Sequence, residues 1–274
     1  MASKPLRILV FGAHPDDCDY KVGGLALLYS RKGHKVKFVS VTNGDAGHFR
    51  MGGAALAQRR KAEAERAARI AGAAYEVLDI HDGTLEPTAA NRLMIIRVWR
   101  EFGPDLVITH RPNDYHPDHR YTSQLVEDAA FMVTVPNVAP LTPHVASNPV
   151  MAYMSDGFKK PCPFTPDVAV SIDSVIGEKM RMLDCHESQM YEWLPYNRGV
   201  LKEVPAGAKE RLAWLTKGWA GENAEVADKY RTKLRKLYGA AKGARVKYAE
   251  ALEICEYGSP LTKENLHTLF PFFR

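Results

Sequence analysis

The chain has 274 residues, 46% of them apolar and 25% charged. That balance is close to the soluble globular average and excludes a disordered, collagenous or membrane-spanning chain. Four scattered cysteines (Cys18, Cys162, Cys185, Cys255) form no CxxC pair, so a reducing, cytoplasmic compartment is expected rather than a disulfide framework. The net charge is +5, and seven of the basic residues fall in Arg231–Lys247 without an acidic one. No aromatic platform or recognition motif accompanies them, so a solvated helix face is expected there and no nucleic-acid partner.

The first apolar run, Ile8–Ala13, is far short of the ~20 residues needed to cross a bilayer, so no membrane partner is expected. Arg7–Gly12 predicts a core strand that ends in His14-Pro15-Asp16-Asp17. Val36–Thr42 predicts a second strand, Asn43–Gly53 a Gly-rich turn, and Ala54–Ala71 a helix stopped at Gly72. Tyr75–Asp79 reads as a third strand, Asn91–Phe102 as a helix stopped by Gly103-Pro104, and Asp105–Thr109 as a fourth strand. Val135–Pro149 and Lys159–Pro166 are loops, which either wall a pocket or merely connect elements. Val150–Met154 and Val168–Ile172 are later strands, followed by a helix from Ser174 to about His186. Beyond Trp193 the pattern turns helical, over Ala206–Trp219, Ala224–Tyr238 and Tyr248–Cys255. The alternation predicts a Rossmann-like α/β fold, a parallel doubly wound sheet with helices on both faces. We read residues 1–274 as one domain, with a core over about 5–190 and a C-terminal helical extension over about 191–274.

Two dense clusters carry the chemistry. His14-Pro15-Asp16-Asp17 follows the first strand, and His116-Pro117-Asp118-His119 follows the fourth. In a doubly wound sheet the ligand crevice lies at the carboxyl ends of the strands. If these two strands are neighbours, one crevice gathers three histidines and three carboxylates. Imidazole and carboxylate donors suit a catalytic zinc with an open position. Of two adjacent aspartates, one can serve the metal and the other can act as general base beside it. Asp118, two residues from His116, is placed to orient that ring.

These motifs, with Gly23-Gly24 between them, resemble the LmbE/PIG-L family of zinc-dependent N-deacetylases. Further stretches fit: Thr42–Gly47, Arg60-Lys61-Ala62-Glu63 with Ala67 and Gly72, Asp82-Gly83, Pro104–Val107, His186-Glu187-Ser188-Gln189 and Tyr248-Ala249-Glu250. The resemblance implies hydrolysis of an N-acetyl group on an N-acetylglucosamine-type or related acetamido substrate, a small molecule. It implies one zinc ion per chain, held by His14, Asp17 and His119, although another divalent ion suits the same donors. It gives Asp16 as general base, His116 as the histidine that meets the oxyanion or protonates the amine, and Asp118 as its partner. Arg60, Asp45 and Asp82 match positions that contact the sugar in some members. It is compatible with a homo-oligomer.

The chain also departs from the family pattern. Asp19 stands where many members have Glu, and Lys21 and Val22 precede the paired glycines. The loops Val135–Pro149 and Lys159–Pro166 are expected to set substrate choice, with Tyr121, Tyr153 and Phe158 as candidate stacking rings. Two other readings stand beside the deacetylase. One is a different metallohydrolase, such as an esterase or an amidase of a non-sugar substrate. The other is a non-catalytic binding protein, which would need a glycine-rich phosphate loop where this chain has His-Pro-Asp-Asp.

Overall fold

The computed structural model describes residues 4–273. Strand β1 (Arg7–Gly12) lies beside β2 (Lys35–Ser40), which lies beside β3 (Ala74–Val77). On its other side β1 pairs with β4 (Leu106–Thr109), and β4 pairs with β5 (Val150–Met154). All four pairings are parallel. The sheet has seven strands in the order β3-β2-β1-β4-β5-β7-β6, with β6 at Val168–Ser171 and β7 at Ala249–Ile254.

Two expectations need correction here. The sheet is not wholly parallel, because β7 runs antiparallel to both β5 and β6. The Tyr248–Cys255 segment, read as helix, is that strand. Its Ala, Leu and Glu favour a helix, but a short apolar run buried on both faces has no period that separates the two states.

Strand β1 shows why the sheet is covered on both sides. Ile8 and Val10 enter one buried layer with α1 (Asp17–Arg31), α2 (Gly53–Ala71) and α5 (Ile176–Asp184). Leu9 and Phe11 enter another with α3 (Ala89–Phe102) and α4 (Pro117–Met132). An alternating strand with apolar residues on both faces needs helices on both faces. Strand order reverses between β1 and β4: β2 and β3 are added on one side of β1, and β4 and β5 on the other, so the crevice at their carboxyl ends is the topological switch point. The loops carrying both His/Asp clusters open there.

Helix α1 is broken at Val22, with φ −136° and ψ 20°. Its second half is capped from afar: Gly24 N–H and Leu25 N–H donate to the two oxygens of Glu250 at 2.8 and 2.7 Å. Lys179 donates to the same carboxylate at 2.8 Å, with both side chains about 1% exposed. A Cβ on Gly24 would lie 2.7 Å from Ile172 Cγ2 and 2.9 Å from Glu250 Oε1. The paired glycines thus let a β7 carboxylate reach the α1 backbone.

After a π-helical stretch (Ser188–Trp193) and α6 (Leu194–Asn197), the C-terminal part runs through α7 (Ala208–Lys229), α8 (Arg231–Tyr238), α9 (Ala240–Arg245), β7 and α10 (Lys263–Leu269). Helix α7 is continuous where two helices were expected. No described helix is long and apolar enough to cross a membrane.

Candidate metal centre

The turn after β1 folds tightly because a Cβ on Gly12 would lie only 2.8 Å from Asp17 Cβ. His14 N–H donates to Asp17 Oδ2 at 2.8 Å, which sets the two side chains side by side. From the start of α4, His119 comes across the crevice. His14 Nδ1 is 3.3 Å from His119 Nε2. Asp17 Oδ2 is 3.4 Å from His14 Nδ1, and Asp17 Oδ1 is 3.5 Å from His119 Nε2. Donors about 2.0–2.1 Å from a tetrahedral zinc are about 3.3–3.4 Å apart. His14 and His119 stand at that spacing from each other, and each from one oxygen of Asp17, so the three are candidate ligands for a divalent metal; His116 and His110 lie within the same cluster of donors.

The remaining nitrogens of both rings are oriented. His119 Nδ1–H donates to Asp114 Oδ2 at 2.9 Å. His14 Nε2–H faces Asp82 Oδ1 at 3.2 Å and Asp118 Oδ2 at 3.3 Å. Carboxylates behind ligand histidines fix the tautomer and raise ligand basicity. Burial alone would raise the Asp82 carboxyl, but the His14 ring and then the Arg60 guanidinium outweigh it and hold it down at about 2.

Asp118 is a correction to the expected pairing with His116. Its carboxylate is fully buried, accepts from Gly83 N–H at 2.7 Å and turns to His14. What meets His116 is the Asp118 backbone: its N–H donates to His116 Nδ1 at 3.2 Å, making His116 the N-cap of α4. That bond leaves the ring proton on Nε2. The His116 ring packs edge-on to His14 at 4.8 Å between centroids and lines the cavity.

Two residues join the centre that the motifs did not single out. His110, at the end of β4, accepts from Ala13 N–H at 3.0 Å and stacks on His119 at 4.1 Å. Burial, then the neighbouring His119 ring, push its pKa down to about 4, so it is a neutral backing ring. Asp114 has a simple signal, an acid in a strand-to-helix loop just ahead of a histidine that needs an acceptor.

Asp16 stands at the start of α1 with one oxygen, Oδ1, accepting from Arg60 at 2.8 Å. Arg60 also donates to Gly44 O at 3.1 Å and is only 3% exposed. Gly44 has φ +69°, and a Cβ there would meet Arg60 Nη1 at 2.5 Å, so glycine lets the guanidinium pass. Arg60 is thus engaged by the protein itself. So is Asp45, whose carboxylate accepts from His81 Nδ1–H at 2.6 Å and Asp82 N–H at 3.0 Å, outside the cavity lining. Of the three expected sugar contacts, Asp82 and Arg60 line the cavity and Asp45 braces the turn beneath them.

The cavity over this centre has a volume of about 460 Å³. Its outer wall is Gln189, Trp193, Leu194, Asn197, Arg198 and Trp219, together with Tyr20. Neither Val135–Pro149 nor Lys159–Pro166 contributes to that lining, so the expectation that those loops set substrate choice is corrected. Arg100 draws the first loop away, donating to the carbonyls of Val135, Val138, Ala139 and Thr142. Tyr121, Tyr153 and Phe158 also lie outside the lining; Tyr153 donates to Glu127 at 2.5 Å. Lys21 turns from the centre and donates to Ser155 O at 3.1 Å. The 186–189 motif fastens the wall to the core. His186 meets Asp19 at 3.1 Å, Ser188 donates to Glu63 at 2.5 Å, and Gln189 donates to Gly47 O at 3.0 Å.

The family model for PIG-L, GlcNAc-PI de-N-acetylase, matches residues 9–130, which span both His/Asp clusters. Diacetylchitobiose deacetylase of Thermococcus kodakarensis is 30% identical over 211 residues, covering 71% of this chain and 76% of that protein. The chain belongs to the PIG-L family. Within reach of this PIG-L chain is also 4-oxalmesaconate hydratase of Pseudomonas putida, 27% identical over 202 residues, covering 71% of this chain and 78% of that one. Among solved structures, N,N'-diacetylchitobiose deacetylase from Pyrococcus horikoshii superposes with a TM-score of 0.70 at 23% identity, covering 91% of this chain and 83% of that one. That likeness is one of fold.

Proposed function

We propose that this PIG-L chain is a zinc-dependent N-deacetylase that removes the acetyl group from an N-acetylglucosamine-type substrate. The observation that carries the reading is the donor triangle of His14, Asp17 and His119 with Asp16 beside it at the floor of a cavity. The relatives named as deacetylases of acetylated amino sugars support it. A zinc ion held by the triangle would polarise the acetamide carbonyl and make a nearby water acidic.

This chain's own residues supply the rest. Asp16 has one oxygen pinned by Arg60, which leaves the other to take the proton of the attacking water. Arg60 is therefore a positioning residue for the base. His116, with its ring proton on Nε2, donates a hydrogen bond to the oxyanion as charge develops there, and the proton that Asp16 takes from the water goes on to the departing amine. Asp114 and Asp118 hold the rings of His119 and His14. The products are acetate and a free amine.

The relative named as a hydratase marks the competing chemistry, a hydration. A direct test separates the two. The protein is loaded with zinc and incubated with N-acetylglucosamine, N,N'-diacetylchitobiose and aryl N-acetylglucosaminides, and free acetate is assayed. Acetate release that stops with a chelator and returns with zinc is expected. Absence of acetate from every acetamido sugar contradicts the reading.

A further inference from the structure

The catalytic cavity does not end at its own wall. A second cavity of about 510 Å³ lies against it, and the two share Met190, Leu194, Arg198 and Trp219. Arg198 stands at the junction, just past the end of α6. Its guanidinium sits 4.6 Å over the Trp219 ring, and Trp219 meets Tyr20 edge-on at 5.2 Å. A stacked guanidinium is held in place by its flat face, while its edge N–H groups stay available.

Those N–H groups are unspoken for. Among the described residues, no carboxylate forms an ion pair with Arg198 and no acceptor takes a hydrogen bond from its side chain. The other charges nearby are largely committed. Asp16 is paired with Arg60, and Asp82 with His14. Glu222 accepts from the neutral Tyr20 hydroxyl and keeps its charge on the wall of the second cavity. Glu203 and Lys217, both exposed, face the second cavity and offset one another in sign. What is left over is the exposed Arg198 guanidinium, a planar, stacked donor set between the two cavities whose N–H groups have no protein acceptor among the described residues.

We propose that Arg198 is a specificity-determining residue that binds an anionic group, a carboxylate or a phosphate, on the part of the substrate beyond the acetamido sugar. The proposal rests on the deacetylase reading above. The sugar then fills the first cavity, and the group attached to it crosses Arg198 into the second. Arginine suits this because its fork matches both anions bidentately. One charge-assisted pair of this kind corresponds to about a 10- to 100-fold difference in affinity.

The test uses the full-length, zinc-loaded protein and three aryl N-acetylglucosaminides that differ only at the para position: hydrogen, carboxylate or aminomethyl. Binding is measured by calorimetry and acetate release by assay. The carboxylate glycoside is expected to bind at least about 10-fold tighter than the unsubstituted one. Arg198→Gln is expected to erase that preference, and Arg198→Lys to restore part of it. Equal binding of all three, preference for the aminomethyl glycoside, or a carboxylate preference that survives Arg198→Gln overturns the proposal. Because binding is read separately from turnover, a carboxylate preference without acetate release would uphold Arg198 and remove the deacetylase reading. Failure of every glycoside to bind would remove the Arg198 proposal.

Discussion

At the scale of single residues, the centre depends on who stands behind whom. Asp114 and Asp118 back the rings of His119 and His14, the proposed ligands, so Asp114→Asn and Asp118→Asn should each weaken zinc by about 10- to 100-fold. Competition with a chromophoric chelator measures this, and undiminished zinc affinity in both variants would contradict the assignment. For Asp118 this differs from what adjacency to His116 suggested. Both His/Asp clusters were legible because each is contiguous and each closes a strand. The direction of the Asp118 side chain was not, because it depends on how α4 sets its first turn against the His81–Gly83 turn. Asp45 was misplaced for the same reason: its type matched a sugar contact, but the fold gives its oxygens to His81 and Asp82. Arg60→Ala should mainly lower kcat, by freeing Asp16 to rotate, with little loss of zinc. Steady-state kinetics at matched metal content checks this, and a change confined to KM would make Arg60 a substrate contact instead.

At the scale of elements, the α1 break is held by a strand more than 200 residues away in sequence. Glu250 is buried with three donors, and Lys179 supplies the only one of them that carries a charge. Lys179→Met removes that charge and should cost about 3 kcal/mol, the low end for breaking a buried pair, since two backbone N–H groups remain. Gly24→Ala should cost about 1–3 kcal/mol, because the contacts at 2.7 and 2.9 Å force Ile172 or Glu250 to move. Urea unfolding measures both, and a midpoint unchanged from wild type in either variant would mean the cap contributes nothing. Strands β1 to β6 lay close to their predicted positions because each reads as a short apolar run bounded by turn residues. Strand β7 did not, because Ala and Glu on a strand covered from both sides imitate a helix. Helix α1 was hidden for the converse reason: it opens on acidic residues of the His/Asp cluster and carries two glycines.

At the scale of the molecule, the segment read as an extension is part of the site and of the sheet. It supplies β7 between β5 and β6, and it supplies Arg198 and Trp219 to the cavity wall. We therefore treat residues 4–273 as one folding unit. A chain ending at residue 190 should lose cooperative unfolding, because β6 would have no neighbour and Glu250 would no longer cap α1. Calorimetry showing a single sharp transition in that shortened chain would contradict this. The substrate wall was not legible in the sequence, since the loops that looked placed for it are drawn elsewhere by Arg100 and by Arg111, which donates to Cys162 O at 2.8 Å.

The central claim is that Asp16 works as a base beside a metal held by His14, Asp17 and His119. It is tested most directly by acetate release from an N-acetylglucosaminide, comparing wild type with Asp16→Asn at equal, measured zinc content. The expected result is full zinc occupancy in both and a kcat lower by about 10²- to 10⁴-fold in Asp16→Asn. Undiminished kcat in Asp16→Asn, or a loss accounted for wholly by missing zinc, would contradict it.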